Sequence, residues 1–306
     1  MPAASLRALL ERSIDYAGLF PPCGLDLERA LRNQAEYVRH ADAWMLGSFI
    51  LPIAKFDAAS AHLSQFDDKH RLWVSALGGK SENAAAFRSM VQTTVTTIRD
   101  FFARHGRVAT IAQTEMPLPW EANAAAFAEA HSVLGELKLA AFWEAPSDAA
   151  ESTISSLAKH HSKSGDHTFG YKLRTGGVTA DAFPDSAEIA RALVAAANHR
   201  VPIKFTAGLH HPLRKFDATV NTKMHGFLNV LGAGVLAAEH VWDDSETIRM
   251  LEDEDASSFS FDDTTFAWRE WQITTDRIKA RRKFVISFGS CSFDEPREDL
   301  RALKLL

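Results

Sequence analysis

The chain has 306 residues, 46% of them hydrophobic and 24% charged, enough for a sizeable core in one large α/β domain or two small ones. A net charge of −5 and an isoelectric point near 6.2 give no general attraction to nucleic acid or to an anionic membrane, since both call for concentrated lysine and arginine. Two cysteines, Cys23 and Cys291, are too few for a disulfide framework or a structural zinc site and fit a reducing cytosol.

The opening MPAASLRALLERS reads as a helix rather than as a cleavable leader. Strand-like apolar runs follow over 14–20, 43–51, 71–77, 107–115, 137–144, 168–174, 201–207 and 284–289. The first seven recur at intervals of about 30 residues, the length of a strand plus its crossover helix in a parallel sheet. Helical patterns lie between them. In 25–38 Leu27, Leu31, Gln34, Ala35 and Val38 share one face, and 186–199 follows the start signal Pro184-Asp185-Ser186. Eight strands alternating with helices, with no flexible linker and no close internal repeat, predict a single (β/α)8 TIM barrel domain over 1–306 rather than an open doubly wound sheet.

The spacing breaks between the seventh and eighth strands. There 209–283 holds a His/Pro loop, an apolar helix (224–240), an acidic segment (251–263) and a second helix (265–282) that ends in the basic run 277–283, as suits a helix C-terminus. This insertion is expected either to cover the barrel mouth or to add packing on the outside. The longest apolar stretch, 226–238, falls short of the roughly 20 residues that span a bilayer, so a soluble cytoplasmic protein is expected.

Side chains alternate across a strand with period two. In 168–174 Phe169, Tyr171 and Leu173 share one face and Gly170, Lys172 and Arg174 the other; in 202–208 Ile203, Phe205 and Ala207 oppose Pro202, Lys204 and Thr206. If the apolar faces meet the helices, Lys172, Arg174, Lys204 and Thr206 all face the barrel interior. Lysine is almost never buried unless paired, and buried like charges are costly. The response is either a deprotonated, nucleophilic amine or a structural ion-pair network. Working groups of such barrels stand at the C-terminal ends of strands, which adds Asp15, Glu115, Glu144 and the turn FGSCS (288–292).

These residues also resemble the deoxyribose-phosphate aldolases and their class I, Schiff-base relatives. KLRTG (172–176) is similar to that family's sixth-strand K-T-S-T-G, and KFTAGLH (204–210) to its seventh-strand K-x-x-G-G-[IV]-R. IDYAGLF (14–20) resembles I-D-H-T-L-L, FGSCS resembles F-G-A-S-S, and TEMPL (114–118) resembles V-D-M-V-I with Glu115 in place of aspartate. The resemblance implies that Lys172 forms the Schiff base, that Lys204 is the neighbouring cation favouring its neutral form, and that Asp15 and Glu115 relay protons. The family's phosphate-binding lysine and arginine are replaced here by Gly177 and His210, so a sugar-phosphate substrate is not carried over. What still suits an anion is the backbone of Thr175-Gly176-Gly177, Ala207-Gly208 and Gly289-Ser290, with Arg174 beside it.

His210 and His211, with His225, Glu115 and Glu144, offer the donor types of a metal site, but adjacent histidines in a strand point opposite ways. They are therefore read as part of the substrate pocket, with no metal and no cofactor. His160 and His161 read as surface or helix positions, Cys291 as an inert buried thiol, and Trp44, Trp73, Trp120 and Trp143 as core or pocket wall. The sequence thus predicts an aldolase-like lyase acting on a small, oxygenated, anionic carbonyl substrate. It calls for no nucleic-acid or membrane partner and leaves a homo-oligomer open. Two alternatives are a metal-dependent hydrolase or isomerase built on those histidines and glutamates, and a non-catalytic barrel that binds an anionic metabolite.

Overall fold

The computed structural model describes residues 1–119, 124–165 and 168–306. After α1 (Ala4–Leu10) come β1 (Ile14–Tyr16), α2 (Leu27–Tyr37), β2 (Leu46–Pro52), α3 (Phe56–Ser60), β3 (Leu72–Leu77) and α4 (Ala84–His105). The alternation continues through β4 (Ala109–Pro117), α5 (Ala124–Leu134), β5 (Ala140–Glu144), α6 (Ala150–Ser164), β6 (Phe169–Arg174), α7 (Ser186–His199) and β7 (Ile203–Thr206). The longer excursion then holds β8 (Lys215–Asp217), β9 (Thr222–Met224), α8 (Phe227–His240), α9 (Asp244–Leu251), β10 (Phe259–Phe261), β11 (Thr265–Trp268), β12 (Trp271–Thr274) and α10 (Thr275–Arg281). It ends at β13 (Val285–Ser290), which α11 (Asp294–Ala302) follows.

Strands β1 to β7 and β13 close into an eight-stranded parallel barrel in the order β1, β13, β7, β6, β5, β4, β3, β2. The expected (β/α)8 barrel is therefore the fold, with strand ends shifted by a few residues. Its principal core lies between strands and helices, where the outward residues Phe49, Trp143, Tyr171, Phe205 and Phe288 are buried against Leu31, Phe101, Leu157 and Leu193 of the surrounding layer. Each such side chain contributes about 1.5–3 kcal/mol through burial. Helix starts are fixed locally. Asp26 and Asn83 accept from backbone N–H groups at the starts of α2 and α4, and Asp185 with Glu188 forms a capping box on α7. Among the described residues no helix is long and apolar enough to cross a membrane.

Most of 209–283 packs around the barrel wall. Helix α8 rests on α7 and β13 as the return helix before the last strand, and it comes close because Gly234 has no Cβ, which would otherwise sit 2.8 Å from the Val285 side chain. Helix α10 packs on α8 and α1, and the antiparallel sheet β10-β11-β12 reaches α1.

The second helix expected over 265–282 is corrected. Only Thr275–Arg281 is helical, while 265–274 is the hairpin of β11 and β12. Burial there runs with period two: Phe266 and Trp268 are fully buried and Ile273 nearly so, with Phe266 opposite Ile273 and Trp268 opposite Trp271. Aromatic and β-branched residues at that period favour strand. Arg269, at φ +50°, takes the left-handed conformation that a two-residue hairpin turn demands.

Candidate active site

The inward faces of five strands assemble one array of charge. Asp15 stands on β1, Glu115 on β4, Glu144 at the end of β5, Lys172 on β6 and Lys204 on β7. Strand register sets Glu144 beside Lys172 and Lys172 beside Lys204. Lys204 Nζ donates to Asp15 Oδ2 at 2.7 Å and to Glu115 Oε1 at 2.5 Å. The other oxygen of Glu115 lies 2.7 Å from Lys172 Nζ, which is also 2.9 Å from Glu144 Oε2. Arg174 closes the series on Glu144 Oε1, through Nε at 3.3 Å and Nη2 at 3.1 Å. Carboxylate and cation alternate from Asp15 to Arg174, so the array is neutral as a whole.

The Asp15 and Glu115 carboxylates have neutral partners as well. Ser287 Oγ and Gln113 Nε2 donate to Asp15 Oδ2 at 2.6 and 3.3 Å, and the Ser48 N–H donates to Oδ1 at 2.7 Å. Ser75 Oγ donates to Glu115 Oε1 at 2.5 Å. These serines and the glutamine passed unnoticed in the sequence, although they are polar residues at inward positions of apolar strands, the same parity signal that marks the lysines.

At Lys204 ion pairing and burial oppose each other. Burial pushes its ammonium toward deprotonation, but the Asp15 and Glu115 carboxylates outweigh burial and hold its pKa above the ordinary lysine value. Lys204 is therefore a fixed cation. Burial alone would raise Glu115, yet Lys172 and Lys204 together drive it far below the usual carboxylate range; Glu144 also falls, burial being outweighed by Lys172 and Arg174.

These directions give a stability profile. Groups with a depressed folded pKa contribute fully above their unfolded value, about 4.3 for glutamate, and lose that contribution as pH falls toward the folded value. The raised Lys204 contributes fully below about 10.4 and loses its share as pH climbs through the folded value. Urea midpoints should therefore be nearly flat from about pH 5 to 9 and fall below about pH 4. In Glu115→Gln the acid fall should be shallower.

A cavity of about 600 Å³ opens at the C-terminal end of the barrel, where ligands of this architecture bind. Lys172 and Glu144 reach it, as do Arg174, Gly177, Thr206, His210 and Gly289. Asp15, Glu115 and Lys204 do not line it; they lie deeper in the barrel, coupled to it through Lys172. Within 209–283 only His210 reaches the cavity wall.

Other residues expected at the site shape its loops. Gly208 has φ +78°, and a Cβ there would lie 2.8 Å from the Gly176 Cα, so both glycines permit two loops to touch. Thr175 Oγ1 ties the same loops by donating to the Ala207 carbonyl at 2.6 Å. Gly208→Ala should lower stability by about 1–3 kcal/mol, read as a shift in urea midpoint. Ser290 Oγ donates to the Ser292 carbonyl.

The histidines are engaged separately. A ring nitrogen of His210 lies 3.0 Å from Glu295, one of His211 lies 2.6 Å from Asp299, and one of His225 lies 2.8 Å from the Pro184 carbonyl. With Glu115 and Glu144 held by lysines, the metal set considered from sequence does not assemble, and among the described residues no group of three or more His, Cys, Asp or Glu converges as ligands. His160 and His161 are buried on α6. Trp143 is buried among Phe87, Phe127 and Phe169, while Trp44 and Trp73 lie under Arg7 and Arg12. Trp120 lies outside the described residues.

Several wall residues carried no signal in the sequence: Phe20 and Pro21 after β1, Ile50 on β2, Leu77 on β3, Pro117 on β4 and Val178 after β6. Cys291 also lines the cavity, and its Sγ lies 3.0 Å from that of Cys23. Burial pushes the Cys291 thiol up to about 12, consistent with an unreactive thiol.

No protein-family model matches the chain, and no curated protein is significantly similar to it. Among solved structures it is similar to the atrazine chlorohydrolase TrzN from Arthrobacter aurescens TC1 complexed with zinc, at 9% sequence identity and a TM-score of 0.32. That match covers 65% of this chain and 54% of the other, about half of that protein's length.

Proposed function

We propose that the protein is a lyase of the class I aldolase type, using Lys172 to form a Schiff base with a small carbonyl substrate. One observation carries the reading: the Lys172 amine, 4% exposed as a residue, reaches a large cavity while set between the carboxylates of Glu115 and Glu144. The fragments that resemble deoxyribose-phosphate aldolases support the same assignment, because four of their positions, Asp15, Glu115, Lys172 and Lys204, belong to this one array.

The chemistry follows from charge. The Lys172 nitrogen, once its proton passes to Glu144, adds its lone pair to the carbonyl carbon while the π electrons move to oxygen. The carbinolamine takes up a proton, loses water and becomes an iminium. Glu144, a carboxylate again, takes the proton of the substrate's β-hydroxyl; that oxygen forms the new carbonyl of the departing fragment while the electrons of the bond between the α and β carbons flow into the iminium and leave an enamine. The same proton is returned to the enamine carbon, and water hydrolyses the resulting iminium to free Lys172. The iminium restores the positive charge that ammonium had placed between Glu115 and Glu144, so the array that holds the resting lysine also stabilises the intermediate. Glu144 is the carboxylate placed to move protons, since its side chain is 18% exposed against 1% for Glu115. Lys204 keeps Glu115 anionic from beneath. An anionic substituent would find Arg174 and the Gly177 and Gly289 backbones on the same side of the cavity.

Borohydride reduction in the presence of a panel of aldehydes and ketones, followed by peptide mass spectrometry, tests the reading. A stable secondary amine at Lys172 is the expected product. No labelling of Lys172 by any carbonyl compound that binds would remove it.

A further inference from the structure

We infer that the substrate carries an apolar substituent, branched alkyl or aryl, and that this substituent rather than a polyhydroxylated chain fills most of the cavity. The inference rests on the Schiff-base reading of Lys172 and names the substrate class of that site. The cavity has two unlike sides. From β5 to β7 and the loop beyond come Glu144, Lys172, Arg174, Thr206 and His210, all able to bond a polar group. From the opposite side, Ile50, Leu77 and Pro117 at the ends of β2, β3 and β4 face inward, and Phe20 and Pro21 close the wall from the β1 loop. These five side chains bring no hydrogen-bonding or charged group. Among the described residues the charge on that side is Lys80, exposed on the loop after β3.

Size points the same way. A liquid water occupies about 30 Å³, so about 600 Å³ holds far more atoms than a three- or four-carbon carbonyl compound bonded to Lys172. Such a substrate would leave water against the apolar wall, an unfavourable contact that an apolar substituent removes. In a hydrophobic pocket one methylene discriminates by about tenfold or more. A hydroxylated chain along this wall would instead give up hydrogen bonds to water with no partner in exchange from these five side chains.

The test compares 3-phenylpropanal with propanal, whose carbonyl groups have the same immediate surroundings, and with glyceraldehyde 3-phosphate as the polar competitor. Labelling of Lys172 under borohydride is read by peptide mass spectrometry, each aldehyde being normalised to its reaction with free Nα-acetyllysine. The phenyl compound should reach half-labelling at a concentration at least about tenfold below that of propanal. Leu77→Asn should reduce this ratio about tenfold. Equal normalised labelling by the two aldehydes, or a preference for the phosphorylated one, would overturn the apolar substrate and leave the Schiff base standing. Absence of labelling at Lys172 by all three removes both.

Discussion

Glu115→Gln is expected to lower the free energy of unfolding by about 3–5 kcal/mol, the cost of removing one partner from a buried ion pair. The position is severe because one carboxylate serves two lysines. Glu115 Oε1 meets Lys204 and Oε2 meets Lys172, and both lysines are at most 4% exposed. Glutamine keeps the shape and one carbonyl oxygen, but it turns the other oxygen into a donor aimed at an ammonium. Lys204 would retain Asp15, and Lys172 would retain Glu144, so the fold should survive at neutral pH with a lower urea midpoint. A change of less than about 1 kcal/mol, the range of exposed pairs, would mean that water reaches the array and that the cluster is not a dry one. Glu144→Gln, facing the cavity, should cost less stability and more labelling.

The lysines were legible because period two is a local property: Lys172 and Arg174 share one face of a seven-residue run, and an apolar opposite face fixes which way they point. Which carboxylate meets which amine was not local. Asp15 meets Lys204 across 189 positions of chain, a contact made only when β13 inserts between β1 and β7 as the barrel closes. Glu115 reads as a strand end in sequence, yet β4 runs on to Pro117, which lowers this carboxylate beneath the cavity floor. Gly176 and Gly208 fit an anion cradle or a close loop contact equally well in sequence, and the close contact becomes visible only when the two loops are packed together. The apolar half of the cavity was illegible because Ile50, Leu77 and Pro117 differ in no way from core residues until their strands end at the barrel mouth.

Lys172→Arg should abolish the borohydride-stable adduct for every aldehyde while leaving the protein folded. Arginine keeps a cation between Glu115 and Glu144, so the pairing that stabilises the array persists, but guanidinium stays protonated and is no nucleophile for a carbonyl. Lys172→Met removes the cation as well, leaving Glu144 to Arg174 and half of Glu115 unpaired, and should lower stability where the arginine variant does not. The contrast separates chemistry from charge. Lys204→Met should cost about 3–5 kcal/mol, since Asp15 and Glu115 lose their shared ammonium, yet the remaining adduct should still map to Lys172. An adduct on Lys204 in the native protein would exchange the two roles. A cavity adduct that persists undiminished in Lys172→Arg, with Lys204 unmodified, would overturn the assignment of the nucleophile, because the array offers no other amine.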